Sequence, residues 1–383
     1  MSEIYLDYNA TTPIDPLVAE AMLPYIHGLF GNPSSGHSFG LASRQGVDHA
    51  RRQVAGLLGC DEDDLIFTSG GTEANNHAIK GVAGAYRDRG NHIITTQVEH
   101  PAVTEVCRYL EAHGFRVTYL PVDEDGLVSP RQVESAITSD TLLVTVMHAN
   151  NEVGTIQPIS EVAEIAHRYG ALAHSDCAQS VGKIPVRVDD LGVDLLSVAG
   201  HKLYAPKGIG ALYIRPGVRL EKLMHGAGHE QGRRAGTENV IEMAGLGKAC
   251  ELVGRNLAGY ARHMAEMRDR LERGILEAGM DARVNGHKEK RLPNTTSISF
   301  RGREADRILA NLPTVAASAG AACHSDRVEV SHVLAAMNVP EEYAMGTLRL
   351  TVGRFTTIDE INRAIVEIAE VVGSLAPAHS AAD

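Results

Sequence analysis

From about residue 16 to residue 215 the chain alternates between two textures. Short apolar runs, "DDLIFTSG", "NHIITTQ", "RVTYLPV", "TLLVTVMHANNE", "ALAHSDCAQ", "VDLLSVAGHK" and "GIGALYI", each carry four to eight residues rich in Val, Ile, Leu or Thr. Most lie between helix-like segments such as "HSFGLASRQGVDHARRQVAGLLG". A strand that is apolar throughout is covered on both faces, so the alternation predicts a mostly parallel sheet with helices on either side. Ligands of such sheets sit beyond the carboxyl ends of the strands. Polar residues gather at those ends: Ser69-Gly70-Gly71-Thr72, His100, Asn150-Asn151, Asp176 and His201-Lys202.

Beyond residue 215 the pattern changes. "GAGHEQGRRAGTEN" reads as a polar Gly/Arg loop, followed by a long helix over about 239–278. Strand-like "NTTSISFRG", a helix, the loop "AASAGAACHSDRVEV", the strand "GTLRLTVG" and a last helix "TIDEINRAIVEIAEVVGSL" make a second, smaller α/β unit. A chain of 383 residues exceeds one compact core. The expected division is 16–257 for the large domain, 1–15 with 258–375 for the small one, and a disordered tail at 376–383.

Net charge is −12 and there is no Lys/Arg block, which argues against a nucleic-acid surface. No apolar run approaches the ~20 residues of a membrane span. "MSEIYLDYNATTP" lacks a signal pattern, so the expectation is a cytoplasmic protein. Cys60, Cys107, Cys177, Cys250 and Cys323 are scattered, with no CxxC pair, so neither a disulfide framework nor a metal site is expected.

In "TSGGTEANNHAIKG" a strand ends, two glycines turn, and Thr72 opens a helix. Such a turn either cradles a phosphate at the helix N-terminus or simply joins strand to helix. It is not a Walker motif, because no GK[ST] follows. In "HSDCAQ", Asp176 ends a strand, where it either pairs with a protonated ring nitrogen or caps a helix. Lys202 in "GHK" follows a buried strand; such a lysine is either solvated or desolvated enough to form a Schiff base. A phosphate turn, a carboxylate and a lysine on one sheet edge together match pyridoxal 5′-phosphate (PLP), which has a phosphate, a pyridine nitrogen and an aldehyde.

Taken in order, "YLDYNATTP", "GNPSS", "FTSGGTEANN", "VEHPAV", "DCAQSVGK", "GHKLYAPKGIGALYIR", "GAGHEQGRRAGTEN", "AGAACHSD" and "LRLTVGRFTT" resemble the cysteine desulfurase family, which includes the selenocysteine lyases. These are fold-type I, class-V aminotransferase-like PLP enzymes, and the resemblance covers nearly the whole chain. It implies a large domain with a mostly parallel seven-stranded sheet and a smaller C-terminal α/β domain. It implies Lys202 as the Schiff-base lysine, Asp176 at the pyridine nitrogen and Gln179 at the phenolic oxygen. His100 would stack on the ring and move protons; Asn151 would touch substrate or the phenolic oxygen. Gly71, Thr72 and His201 would hold the phosphate. Thr237 would reach the phosphate of a neighbouring subunit, giving a homodimer with shared sites. Arg349 would bind the substrate α-carboxylate.

Cys323 matches the family's nucleophile, in a loop of small residues, while Cys60, Cys107 and Cys250 read as buried packing and Cys177 as packing beneath the ring. The implied reaction removes sulfur from L-cysteine, leaving L-alanine and a persulfide on Cys323 for a sulfur-acceptor protein, as in iron–sulfur cluster assembly. Two features depart from the assembly desulfurases: Ala199 stands where they carry a phosphate-binding Ser, so one phosphate hydrogen bond is missing, and "GAACHSD" replaces their "ACTS" ending; the latter, with "GTEN" followed by "AGLGKACEL", leans toward selenocysteine lyases acting on L-selenocysteine. Cysteine ranks first. An aminotransferase of the same fold would need Lys202 and Asp176 but not Cys323, and a non-catalytic sulfur carrier would need neither Lys202 nor His100.

Overall fold

The computed structural model describes residues 3–324 and 327–376, with backbone alone at 321–324 and 327–329. The seven apolar runs form one sheet: β1 (Leu65–Thr68), β2 (His92–Thr96), β3 (Arg116–Leu120), β4 (Thr141–Thr145), β5 (Leu172–Asp176), β6 (Leu195–Ala199) and β7 (Gly210–Ile214). Their order is β1-β7-β6-β5-β4-β2-β3. All pairings are parallel except those of β7, which runs antiparallel between β1 and β6. The mostly parallel seven-stranded sheet expected from the sequence is present.

Adjacent residues of each strand point to opposite faces. Ile66, Ile93, Leu143 and Leu195 pack into one core with Ile79 and Val82 of the helix Gly71–Ala85. Their neighbours Phe67, Ile94, Val144 and Leu196 pack into the other, against Val54 and Leu58 of the helix Ser38–Leu58. Burying each such side chain contributes about 1.5–3 kcal/mol, which is why the runs are apolar throughout.

Two histidines lace the middle of the sheet. His92 on β2 bonds Thr141 Oγ1 of β4 and Thr118 Oγ1 of β3, both at 2.8 Å. His174 on β5 bonds Thr145 Oγ1 of β4 at 2.7 Å and Ser197 Oγ of β6 at 3.0 Å. Burial pushes His92, His148 and His174 each down to about 4. An unfolded chain binds a proton at each near the ordinary histidine pKa; the folded chain does not until about 4. The stability they contribute is therefore full above pH ~6.5 and lost as pH falls toward 4. Glu99 opposes them: burial raises its carboxyl to about 8, so the folded state holds a proton there that the unfolded chain releases above its ordinary pKa. With more groups losing protons on folding than gaining them, stability falls as pH drops from about 6.5 toward 4.5. Denaturation midpoints followed across that window should fall steeply, and less steeply in His174→Gln; equal slopes for the two proteins would refute the assignment.

The strands Ser318–Ala319, Thr347–Thr351, Thr295–Phe300 and Ala282–Asn285 form, in that order, a second, antiparallel sheet. Its core of Ile298, Phe300, Leu348 and Leu350 also takes Ile4 and Leu6, because Ile4–Tyr5 pairs with Val315–Ala316. The chain then runs from Leu6 to the carboxyl edge of the central sheet, where Thr12 N donates to the His201 carbonyl at 3.0 Å. The helix Val240–Glu277 spans both regions and breaks at Asn256 (φ −143°, ψ 24°). Met243, Leu246 and Val253, before the break, join the larger core; Met264, Leu271 and Ile275, after it, join the smaller one.

The expected loop at 316–330 is more ordered than its composition suggests. Ser318–Ala319 pairs with the Arg349 strand, and Ala321–His324 pairs with Arg327–Val330 as a hairpin. Ala and Gly carry little strand propensity, so the pairing partners supply this order. The short strand Ala282–Asn285 was likewise not expected. The tail expected at 376–383 lies, after its first residue, outside the described residues. No described helix is long and apolar enough to cross a membrane.

Candidate active site

A cavity of about 390 Å³ opens at the carboxyl edge of the central sheet. The ends of β1, β2, β4, β5 and β6 contribute to it. β1 hands over to a helix through Gly70, whose φ of +147° is a region in which only glycine is comfortable. No side chain caps the helix that begins at Gly71. Its first amides, those of Gly71 and Thr72, therefore face the cavity with the positive end of the helix dipole behind them. Packing is tight here: a Cβ on Gly71 would stand 3.2 Å from that of Ala199.

β5 ends in Asp176, which is buried. Asn75 Nδ2 donates to its Oδ2 at 2.7 Å and the Ala178 amide to its Oδ1 at 2.9 Å. Two donors thus fix the orientation of the carboxylate at the cavity wall, and it caps no helix. Asn75 lies one helical turn beyond Gly71, on the same face, and its own Oδ1 is buried without a partner.

β6 ends in a tight turn, Gly200–Lys202. Lys202 Nζ donates to the carbonyls of Asn9 and, at 2.8 Å, Ala10. Burial pushes the amine down to about 8, the Arg349 guanidinium adding to the shift and Asp176 and Asp7 opposing it. A neutral, nucleophilic fraction thus exists near neutral pH, which an ordinary lysine lacks. His201 bonds Thr11 Oγ1 at 3.1 Å and is pushed to about 4 by burial and by the Lys202 charge.

His100 caps the helix Pro101–Glu111, its Nδ1 accepting from the Ala102 amide at 3.1 Å. The neutral ring therefore carries its proton on Nε2. Loss of solvation lowers its pKa; Asp176 works against that shift and the Lys202 charge with it. Gln179 lines the wall, donating from Nε2 to the Asn9 carbonyl at 3.0 Å. Asn151 also lines it, and its carbonyl accepts from Asn9 Nδ2 at 3.0 Å. Arg349 closes the far side: Nη2 bonds Asp7 Oδ1 at 2.8 Å and Ser318 Oγ at 3.0 Å, while its buried Nε has no partner.

The cavity thus gathers Gly71, Thr72, His100, Asn151, Asp176, Gln179, His201, Lys202 and Arg349. Thr237 is exposed and lies apart, in the segment that precedes the helix Val240–Glu277. Cys323 has its backbone in the hairpin, opposite Val328; its side chain lies outside the described residues. That hairpin ends at Ser331, which donates to Glu152 Oε2 at 2.5 Å, next to Asn151. Cys177 is fully buried, does not line the cavity, and has its thiol pushed up to about 12 by burial. Cys107 and Cys250 share that setting. Sequence reasoning missed Asn9, Asn75 and Lys183. Only Asn75 carried a local signal, its helical spacing from Gly71.

The donor set fits PLP. The open helix end suits a phosphate, the fixed Asp176 carboxylate suits a protonated ring nitrogen, and the Lys202 amine suits an aldehyde. All three face one cavity of a size for such a ligand.

Comparison with known proteins agrees. The model of the family "Aminotransferase class-V" matches residues 4–364. Cysteine desulfurase IscS of Dictyoglomus turgidum is 48% identical over 97% of this chain and 95% of its own length. Cysteine desulfurase IscS of Methanosarcina thermophila is 46% identical over 97% of this chain and 92% of its own. The solved structure of a NifS-like protein superposes with a TM-score of 0.92 at 37% identity, covering 97% of this chain and all of that one. Enzymes of this class depend on PLP. The chain belongs to the class-V aminotransferase family and, within it, to the cysteine desulfurases.

Proposed function

We propose that this protein is a PLP-dependent cysteine desulfurase that converts L-cysteine to L-alanine and passes the sulfur through Cys323 to an acceptor protein. The observation that carries the reading is the Lys202 amine, lowered to about 8, facing one cavity with the Asp176 carboxylate and an uncapped helix N-terminus. Bound PLP supplies an electron sink for bond breaking at the substrate's α-carbon.

The chain's own residues do the rest. The amides of Gly71 and Thr72, with His201, would hold the phosphate. Asp176 would face the ring nitrogen, and Gln179 would donate to the phenolic oxygen. Lys202 would hold the aldehyde end of the cofactor and offer Nζ as the base for the α-proton. His100 would sit against the ring with its exchangeable proton on Nε2. Arg349, which lines the cavity, would bind the α-carboxylate through its guanidinium; Asn151 would touch the substrate beside it. The Cys323 thiolate attacks the substrate's sulfur. The carbon–sulfur bond breaks, the carbon takes a proton to leave as alanine, and Cys323 keeps the sulfur as a persulfide.

The same reading divides the chain into 16–257 and 1–15 with 258–375, supported by the helix break at Asn256 and the two cores on either side of it. It makes the protein a homodimer with shared sites, Thr237 reaching the partner's phosphate. Leu23 and Ile26 on the helix Pro16–His27, Phe30 after it, and Phe39 and Leu41 at the start of the helix Ser38–Leu58 are exposed, with the Phe30 and Phe39 rings tilted against each other at 5.5 Å; an apolar patch of this kind suits a second copy. A cytoplasmic location fits the free thiols of Cys60, Cys107, Cys177 and Cys250. Iron–sulfur assembly is the expected use of the sulfur.

The test is alanine release from L-cysteine and from L-selenocysteine, side by side with thiol present, for wild type and Cys323→Ala. The expected result is turnover of both substrates, with the variant losing cysteine activity by at least about 100-fold while keeping bound PLP. Strong preference for selenocysteine, with cysteine only inhibiting, would instead support the lyase reading that "GAACHSD" favours. Pyruvate or amino-group transfer in place of alanine would overturn both.

A further inference from the structure

We propose that Lys183 and Asn9 are positioning residues that fix the amide of Gln179, so that the site always presents an N–H, and never a carbonyl, to the phenolic oxygen of the cofactor ring. The inference rests on the PLP reading above and goes beyond it, because that reading gives neither residue a role.

A glutamine amide has two nearly isosteric orientations, one offering donors where the other offers an acceptor. Gln179 is buried, so its surroundings choose between them. Its Oε1 accepts from Lys183 Nζ at 2.6 Å. Its Nε2 donates to the Asn9 carbonyl at 3.0 Å. Turned over, the amide would set its oxygen against that carbonyl and its hydrogens against the lysine amine. The observed orientation leaves the second Nε2 hydrogen for the cavity.

The locks are themselves locked. Asn9 Oδ1 accepts from Lys183 Nζ at 3.2 Å and from Asn294 Nδ2 at 2.9 Å, and its Nδ2 donates to the Asn151 carbonyl and to Thr295 Oγ1. Every polar group of that side chain is used in one sense only. The backbone carbonyl of Asn9 is shared with Lys202 Nζ, so one residue holds both the free amine and the ring-facing amide.

Lys183 is 4% exposed and has no carboxylate partner among the described residues. A buried lysine bonded only to two neutral oxygens contributes little to stability and is replaceable by an apolar residue of its size. Burial drives its pKa well down, with the Lys202 and Arg349 charges adding. Retaining an amine at such a position has a reason if its hydrogens orient Gln179. A hydrogen bond to a developing phenolate is charge-assisted, and its loss is worth roughly a tenfold change or more.

The test uses the PLP-loaded protein and the visible absorption of the bound cofactor at fixed pH, with PLP dissociation as a second readout. Gln179→Leu should change the ratio of the absorption bands by weakening support for the ionised phenolic oxygen. Lys183→Met should change it in the same direction and speed PLP loss about tenfold. The double variant should show no more than Gln179→Leu alone, and Lys183→Arg should restore the wild-type ratio. A Lys183→Met spectrum like that of wild type beside an altered Gln179→Leu overturns the proposal and leaves the PLP reading intact, as do changes that simply add in the double variant. A wild type that takes up no PLP overturns the functional reading and this inference with it.

Discussion

Lys202→Ala is expected to release no measurable alanine from L-cysteine, a loss of at least about 10⁴-fold, and to hold PLP without a covalent link. General acid–base catalysis alone accounts for ~10²–10⁴, and the variant also removes the group that anchors the aldehyde. The structure says why arginine is no substitute. Lys202 works by shedding a proton, its amine lowered to about 8 by burial. A guanidinium keeps its proton at any working pH, so Lys202→Arg should be as inactive as alanine. Neither change should unfold the chain: Lys202 contacts Asn9 and Ala10 carbonyls at the cavity wall, not the apolar cores. Borohydride treatment followed by mass measurement separates the outcomes, because only wild type should retain the cofactor's added mass. Alanine release from Lys202→Ala within tenfold of wild type would remove the lysine from the mechanism.

Much of this site was legible because it sits where strands stop. A strand buried on both faces must be apolar, so the first polar residue after it marks the sheet's carboxyl edge; Thr68-Ser69, Asp176 and His201-Lys202 stand out for that reason. Gly70 was legible as a turn because only glycine tolerates its backbone. What stayed hidden depends on contacts distant in sequence. Asn9 meets Lys183, 174 residues away, and Asn294, 285 residues away, and nothing near "YNATTP" announces either. Lys183 reads on its own as a surface lysine after a turn, yet it is buried beside residues distant in sequence, Tyr8, Tyr260, Asn294 and Arg354 among them. The two-residue strands Val315–Ala316 and Ser318–Ala319 owe their existence to their partners Ile4–Tyr5 and Arg349-Leu348, so composition could not reveal them.

Asp176→Asn is the sharper test of how the cofactor is used, because it removes the charge at the cost of only one of the two acceptor oxygens. The side chain keeps its size, and its oxygen can still accept from Asn75 Nδ2, now 2.7 Å from the carboxylate. What disappears is the negative charge that, in the proposed role, would hold a proton on the ring nitrogen. Turnover should fall by about 10²–10³, the scale seen when one preorganised electrostatic contact is removed. PLP should stay bound, since the phosphate turn at Gly71 and the Lys202 amine are separate from this contact. The charge acts on Lys202 as well. Asp176 works against the burial that lowers the lysine, so without it the amine falls further below about 8. Any acid limb of the rate profile that reports deprotonation of Lys202 should therefore move to lower pH in Asp176→Asn, the opposite of what a looser, better-solvated site would give. Asn75→Ala should show a milder form of the rate loss and keep the wild-type acid limb, because it leaves the carboxylate charged. An Asp176→Asn enzyme with turnover within threefold of wild type and an unmoved acid limb would mean that this buried carboxylate supports the fold and not the chemistry.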